Sequence, residues 1–283
     1  MRLFLTAAVV MFAFAANSLL NRYALLENTI DPLDFSLIRV ASGALMLLIL
    51  LAMRDQTFSR PPRPDILAVC GLVSYMLGFS LAYVSVDAGL GALVLFGAVQ
   101  ATMFAGALRQ GEKLPALQWI GAGISMLGLC LLLWPSGRID ISIAAFSFMA
   151  AAGVGWGIYS LVGRDVQDPL QATAWNFAYA LPAALLASFI HTADVPPQFN
   201  GILLAIIAGA VTSGLGYALW YIVLPQLSTT AAALSQLSVP VIAIVMGSLL
   251  LAEAMTIKSI MAAALVIGGI ALGTMKSTTR AHS

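Results

Sequence analysis

Ten apolar runs, each about as long as a membrane span, constrain the fold of this chain more than any other feature. They lie near residues 3–23, 33–53, 64–85, 89–108, 115–134, 142–162, 170–190, 200–222, 228–251 and 257–274. A bilayer core takes about 20 apolar residues per helix. Charged residues make up only 9% of the 283, against roughly a quarter in soluble domains. We therefore predict an all-α membrane protein of ten transmembrane helices, which leaves no room for a soluble domain.

The distribution of Lys and Arg predicts the orientation of these helices. With the first run kept as a helix, nine of these residues fall on the side of the N-terminus and three on the other side. Cleavage of the first run as a signal peptide at Ala13-Phe14-Ala15 is the alternative, but the apolar stretch continues to Leu20. Since cytoplasmic loops are enriched in positive residues, we expect a multi-pass protein of the bacterial inner membrane with both termini in the cytoplasm.

Four matches at a nearly constant offset indicate that the chain contains two similar halves. Residues 18–22 match 160–164, 31–33 match 168–170, 77–83 match 215–221, and Glu112 matches Glu253, at offsets of 137 to 142. Because each half has an odd number of spans, the two halves are inverted relative to each other. We predict two inverted five-helix repeats, residues 1–137 and 138–283, an arrangement found in many secondary transporters. A duplication that serves only the stability of the fold is the alternative.

Each half also carries short motifs that match a known pattern. In the second half these are Gly153 to Ser160, with Trp156 inside, and the stretches Trp220-Tyr221, Pro240-Val241 and Leu251-Ala252-Glu253. In the first half they are Leu37-Ile38-Arg39 and Gly111-Glu112-Lys113-Leu114. Over nearly the whole chain these motifs resemble the ten-span EamA-type members of the drug/metabolite transporter superfamily. The first half departs from the pattern, because Phe14-Ala15 stands where such domains usually have Trp-Gly. The resemblance implies export or exchange of small metabolites.

Polar and aromatic side chains within the spans are the candidate substrate ligands. Polar groups at this depth are costly unless they line a cavity or pair across helices. The repeat places the first and sixth spans opposite each other, where a site at the membrane midplane belongs. We expect the substrate to contact Asn17, Asn21, Tyr75, Gln100, Trp156, Tyr159, Tyr217, Trp220 and Ser238. Hydrogen bonds between neighbouring helices are the alternative for the amides, and packing or an interfacial belt for the aromatic rings.

For a second group of residues we predict gating or structural roles. Arg39 lies about seven residues into the second span, where a guanidinium can snorkel to the outer surface or pair with Asp31 or Asp34. We favour this role over capture of a substrate carboxylate.

Pro240 lacks an N–H and so frees the carbonyl of Gln236, which predicts a hinge or a plain kink in the ninth span. Glu112 and Glu253 lie in turns at the membrane edge. We expect these two carboxylates to be turn or cap groups rather than proton carriers.

Two further patterns predict packing. Cys70 and Cys130 lie inside apolar runs, so we expect buried, unpaired thiols. Glycines in the fifth and tenth spans predict close contact between helices, and they are Gly121, Gly123, Gly128, Gly268 and Gly269.

The position of the acidic residues restricts the function. All twelve fall in loops or near span ends, whereas an exporter of lipophilic cations needs a buried carboxylate to bind the cation. We therefore expect an alternating-access permease for small neutral or zwitterionic metabolites such as amino acids. A multidrug or cation exporter and a non-transporting structural or sensor protein are the alternatives.

Enzymatic activity is not expected. An intramembrane enzyme needs a nucleophile with a base, or a set of metal ligands, within the spans. Both histidines, His191 and His282, lie in a loop and in the tail, so we predict no metal and no cofactor. The nearly balanced charge gives no nucleic-acid footprint. The expected partners are a small-molecule substrate and membrane lipids, with the chain acting as a monomer or a homodimer.

Overall fold

The protein is a bundle of membrane-spanning helices. A computed structural model describes residues 2–55, 61–112, 115–133, 142–164, 166–191, 195–252 and 255–274. Within these residues, eight helical segments are long and apolar enough to cross a membrane, and two shorter apolar helices accompany them. The prediction of an all-α membrane protein with ten spans is therefore confirmed.

Most spans are single helices, and two in the second half are divided. The helices of the first half are α1 (Arg2–Leu26), α2 (Pro32–Asp55), α3 (Ile66–Tyr83), α4 (Ala88–Arg109) and α5 (Ala116–Leu133). The second half begins with α6 (Ile143–Gly163) and α7 (Pro169–Ile190). The eighth span, Phe199–Gln226, consists of α8 (Phe199–Ile207), a π-helical segment (Ala208–Leu215), α9 (Gly216–Val223) and a 3-10 turn (Leu224–Gln226). The ninth span, Thr229–Leu250, consists of α10 (Thr229–Gln236) and α11 (Ser238–Leu250), and α12 (Ile257–Thr274) is the tenth.

Short polar side chains determine where several helices begin. Asp65 accepts a hydrogen bond from the backbone N–H of Ala68 at the start of α3, at 3.0 Å. Asp168 does the same for α7, whose first residue is Pro169, and Ser228 caps α10. Each cap satisfies an N–H that a helix start leaves without a partner.

The packing of the spans is symmetric under exchange of the two halves. In the first half α1 packs against the eighth and ninth spans, and α6 correspondingly packs against α3 and α4. Three further contacts join repeat-equivalent partners, which are α2 with α7, α5 with α12, and α4 with the ninth span, and the contact of α2 with the eighth span has its counterpart in that of α7 with α3. Two inverted repeats produce this pattern when they pack around a common pseudo-twofold axis.

We name the two ends of the bundle by the orientation that the positive residues predict. The predicted cytoplasmic face is the end where α2 finishes and α7 begins. The predicted outer face is the end where α1 finishes and α2 begins.

Glycines bring α5 and α12 into close contact. A Cβ atom on Gly269 would lie 2.4 Å from the carbonyl oxygen of Gly121, and one on Gly128 would lie 2.8 Å from that of Ala262. By contrast, Gly123 and Gly268 have no atom within 4 Å of such a Cβ. The expectation of close packing is therefore right for three of the five glycines. It is wrong for two because only one face of each helix meets the other.

Both thiols lie on outward faces of the bundle, which corrects the expectation that they are buried. Cys70 in α3 and Cys130 in α5 are exposed and unpaired. Their neighbours Ile66 and Leu127 are also exposed, at 74% and 63%. In a membrane span the lipid-facing surface is as apolar as the interior, so an apolar run does not distinguish the two.

Candidate functional site

Arg39 lies at the centre of the bundle. Its side chain is fully buried, at 0% exposure. Nε donates to Ser213 Oγ at 2.9 Å, and Nη2 donates to the hydroxyls of Tyr75 at 3.0 Å and Tyr217 at 3.3 Å. The guanidinium carbon also lies 4.9 Å from the centre of the Phe79 ring. One side chain of α2 thus joins α3 to the eighth span.

The expectation that Arg39 snorkels or pairs with a nearby aspartate is wrong. Asp31 Oδ2 lies 3.2 Å from His191 Nε2, and Asp34 accepts a hydrogen bond from Ser188. Position 39 lies about 10 Å inside the span at 1.5 Å per residue. At that position the helix face points toward α3 and the eighth span, so the guanidinium extends into the protein instead of along the surface.

The π-helical segment presents two hydroxyls to Asn17. Thr212 Oγ1 donates to Asn17 Oδ1 at 2.6 Å, and Ser213 Oγ lies 3.4 Å from the same oxygen. Asn17 is 1% exposed, and its Nδ2 has no hydrogen-bond partner among the described residues. Because Ser213 also bonds Arg39, a continuous polar chain runs from α1 to α2. Thr212 is not among the predicted site residues, although π-helical segments are frequent at functional sites.

Aromatic rings surround this polar chain. Trp156 in α6 is the centre of the cluster, with ring centroids 4.6 Å from Tyr217, 5.1 Å from Tyr75 and 5.3 Å from Phe14. Phe14 and Trp156 are repeat-equivalent, and they meet edge to face, the favourable geometry for aromatic pairs. The structure therefore brings together all five predicted aromatic residues, since Tyr159 lies 5.7 Å from Trp156 and Trp220 lies 5.9 Å from Phe14.

The side chain of Gln236 connects the ninth span to the aromatic cluster. Trp156 Nε1 donates to Gln236 Oε1 at 2.7 Å, and Gln236 Nε2 lies 3.3 Å from the carbonyl oxygen of Ala232. The ninth span is interrupted at Leu237, between α10 and α11, three residues before Pro240. The sequence predicted a role for Gln236 because Pro240 frees its backbone carbonyl. In the structure it is the side-chain amide of Gln236 that contacts Trp156.

The other predicted ligands differ in how closely they join the cluster. Gln100 is 2% exposed, and neither atom of its amide has a hydrogen-bond partner among the described residues. Asn21 lies nearer the predicted outer face and donates to Ser80 Oγ at 2.7 Å. Ser238 is only half-buried and donates to the carbonyl oxygen of Ser235 within its own span. Ser238 is therefore not part of the central cluster.

An ion pair closes each end of the contact between α2 and α7. At the predicted cytoplasmic face, Arg54 Nη1 and Nη2 lie 2.8 and 2.6 Å from the two carboxylate oxygens of Asp168. At the predicted outer face, His191 Nε2 lies 3.2 Å from Asp31 Oδ2. The offset of 137 that relates Asp31 to Asp168 also relates Arg54 to His191. We call these two contacts the inner latch and the outer latch.

The two latches differ in charge. The Arg54 guanidinium lowers the pKa of the Asp168 carboxyl below its ordinary value, so the inner latch is charged on both sides near neutral pH. An imidazole is charged only when it is protonated, and the outer latch is therefore a full ion pair only in that state. Neither latch is among the predictions made from the sequence, although the repeat offset of 137, extended along α2 and α7, relates the residues of one latch to those of the other.

Glu112 ties the two halves together at the predicted cytoplasmic face. Its carboxylate accepts a hydrogen bond from Thr229 at 2.6 Å and forms an ion pair with Arg164 at 3.2 Å. Arg164 also donates to the carbonyl oxygen of Leu227. Glu112 thus connects the α4–α5 turn to α6 and to the start of the ninth span. Its predicted counterpart, Glu253, lies outside the described residues.

A cavity lies at each face of the bundle. A cavity of 330 Å³ at the predicted cytoplasmic face is lined by Tyr159, Asn176 and Asp168, among others. A second cavity, of 370 Å³, opens at the predicted outer face and is lined by Asp31 and His191, among others. Neither lining includes Arg39 or Trp156. Neither cavity therefore reaches the centre of the buried cluster.

Comparisons with known proteins agree on a transporter. The family described as "EamA-like transporter family" matches residues 1–134 and 143–275. The chain is 41% identical to an uncharacterized protein of Pseudomonas aeruginosa, over 96% of this chain and 94% of that protein. It is also 24% identical to an uncharacterized transporter of Bacillus subtilis, over 89% of this chain and 90% of the relative.

A further relative and a solved structure extend this likeness. A protein of Escherichia coli named a probable amino-acid metabolite efflux pump is 24% identical, over 87% of this chain and 92% of its own. A crystal structure shares the fold with a TM-score of 0.78 at 19% identity, and the match covers 97% of this chain and 98% of that chain. This chain therefore belongs to the EamA-like transporter family, within the drug/metabolite transporter superfamily.

Proposed function

We propose that the protein is an alternating-access permease that moves small neutral or zwitterionic metabolites, such as amino acids, across the bacterial inner membrane. The observation that carries this proposal is the buried polar and aromatic cluster built from both halves, in a bundle that has a cavity at each face. Both halves contribute to the cluster, so a change in how the halves pack opens it to one cavity or to the other. Both termini lie in the cytoplasm, and transport proceeds as export or exchange.

The chemistry of the cluster supports a small amphipathic substrate. Binding sites for small molecules combine apolar and aromatic walls with a few polar groups that fix orientation. Here Trp156 and Tyr217 supply the walls, while Asn17, Gln100 and Tyr159 supply hydrogen-bonding groups. Amino acids are the first class to test, since the similar Escherichia coli protein is named for their metabolites.

A cation exporter fits the cluster less well. Arg39 places a positive charge in its centre, and a lipophilic cation would have to bind against that charge. Among the described residues, the ion pairs that include an Asp or a Glu lie at the two faces of the bundle. The protein functions with a small-molecule substrate and membrane lipids as its partners, as a monomer or a homodimer, and without a metal or a cofactor.

Counterflow in proteoliposomes tests this function. We expect the purified full-length chain to exchange at least one radiolabelled amino acid from a panel of the common ones. Trp156→Ala is expected to lower the initial rate by about tenfold or more, because truncating a buried aromatic anchor typically costs about 2 kcal/mol or more of binding.

Trp119→Ala is the matched control. Trp119 is 49% exposed on the surface of α5 and packs on Phe104 at 5.9 Å, away from Trp156. Its loss should leave the rate within about twofold of the wild type, as expected for an exposed position. Absence of counterflow for every amino acid, or equal loss in both variants, would count against the proposal.

A further inference from the structure

Arg39 carries a buried positive charge that no described residue neutralises. Its three hydrogen-bond partners, Ser213, Tyr75 and Tyr217, are neutral hydroxyls. Hydroxyls solvate a guanidinium but do not balance its charge, and an unpaired charge in a membrane interior costs several kcal/mol by order of magnitude. A side chain held in this state is suited to bind an anion from outside the protein.

The free donors of the cluster indicate what kind of anion fits. Arg39 Nη1 and Asn17 Nδ2 are both buried, and neither has a hydrogen-bond partner among the described residues. Both residues contact Ser213, Arg39 through Nε at 2.9 Å and Asn17 through Oδ1 at 3.4 Å. Two unused N–H donors on residues that share Ser213 as a partner match a group with two acceptor oxygens, and a guanidinium forms strong, charge-assisted hydrogen bonds with a carboxylate.

We propose that Arg39 binds the carboxylate of the transported molecule, with Asn17 as the second donor. This assignment rests on the proposed function and narrows its substrate class to carboxylate-bearing metabolites. The rings of Trp156 and Tyr75, 5.1 Å apart, contact the remainder of the molecule, and an ammonium group would be attracted to their faces. Amides, esters and simple cations lack the negative charge that would balance the Arg39 guanidinium.

A matched pair of probes tests the assignment even while the natural substrate is unidentified. Sodium benzoate and benzamide have the same ring and size and differ in charge. Thermal unfolding of the purified full-length chain in detergent is followed in chloride-free buffer at constant ionic strength. We expect benzoate to raise the unfolding temperature in a saturable manner and benzamide to leave it unchanged, since only the charged form can complete Arg39.

Substitution of Arg39 locates the effect. In Arg39→Gln the apparent dissociation constant for benzoate is expected to rise by about tenfold or more, the loss of one charge-assisted hydrogen bond. Arg109→Gln is the control, because Arg109 is an exposed arginine at the end of α4, and it should keep the benzoate response. If Arg39→Gln fails to fold, Arg39→Lys keeps the charge without the planar fork, and it should bind benzoate more weakly than the wild type.

Three results would overturn the assignment. They are an equal response to benzoate and benzamide, an Arg39→Gln variant that still responds to benzoate, and a response to chloride as strong as that to benzoate. The proposed function is tested separately by counterflow. Binding of benzoate through Arg39 without amino-acid transport would refute the function alone, whereas equal transport of amino acids and their amides would refute the assignment alone.

Discussion

The hydrogen bond from Trp156 to Gln236 links α6 to α10 inside the most aromatic part of the bundle. Gln236→Leu would leave the buried indole N–H without an acceptor. We expect this substitution to lower the free energy of unfolding by about 1–3 kcal/mol, the usual cost of an unsatisfied buried donor. Denaturant unfolding of the purified protein in detergent measures the change.

A double variant is the control for this bond. Trp156→Phe in the Gln236→Leu background removes the stranded N–H, so the two substitutions together should cost less than the sum of their separate effects. Strictly additive effects would show that the bond contributes nothing to stability.

Individual residues also show what the sequence analysis was able to predict. The candidates Asn17, Tyr75, Trp156 and Tyr217 do meet in one cluster, because polar and aromatic groups deep in an apolar span have few other places to lie. The partner of Arg39 was not predictable, because helix rotation decides which neighbour a side chain meets and hydropathy carries no such information.

At the scale of elements, the contact between α5 and α12 depends on which face a glycine occupies. Gly269→Ala would place a Cβ 2.3 Å from Ser125 Oγ and 2.4 Å from the carbonyl oxygen of Gly121. We expect it to separate the two helices and to lower the free energy of unfolding by about 1–3 kcal/mol, as overpacking typically does. Thermal unfolding in detergent provides the measurement.

The adjacent glycine gives a matched control. Gly268 has no atom within 4 Å of a Cβ position, and Ala has a higher helix propensity than Gly. Gly268→Ala should therefore be neutral or slightly stabilising. If the two variants unfolded at the same temperature, close packing at Gly269 would not be what holds α12 to α5.

At the scale of the whole molecule, the two latches hold α2 and α7 together at opposite faces, and we expect a path from either face to the central cluster to open only when the latch at that face breaks. His191→Arg would make the outer latch a permanent ion pair like the inner one. We expect it to favour closure at the predicted outer face. A partly exposed ion pair contributes about 0.4–1 kcal/mol, which corresponds to a roughly two- to fivefold change in the ratio of closed to open molecules.

The rate of labelling of a cysteine measures this effect. Ser142 lines the outer cavity, and Ser142→Cys in a background without Cys70 and Cys130 reacts with a membrane-impermeant maleimide added outside cells. His191→Arg should slow the reaction, and adding Asp31→Asn should restore its rate. Within the residues that line this cavity, Asp31 and His191 are the ionisable pair. Unchanged labelling in His191→Arg would argue against a gating role for the outer latch.

Much of the whole-molecule architecture was predictable, because lipid dictates span length and the odd number of spans per half dictates inversion. The latches were predictable in principle, since Asp31 and Asp168 appear in the repeat alignment and the same offset leads from Arg54 to His191. The division of the eighth span by a π-helical segment was not, because the sequence from Ala208 to Leu215 carries no proline or charge to mark it.

The position of Arg39 between the two halves bears on how many substrate molecules one chain binds. Its guanidinium contacts Tyr75 and Ser213, which are repeat-equivalent, and also Phe79 and Tyr217, a second equivalent pair. A group that reaches a pseudo-twofold axis leaves no space for its own copy, and two guanidiniums meeting there would repel each other. The counterpart of Arg39 at the offset of 137 is Asn176, which lines the cytoplasmic cavity instead. Within the part of the chain that the structure describes, one guanidinium thus lies between the two halves, and with the proposed role of Arg39 we expect each chain to carry one substrate molecule per cycle.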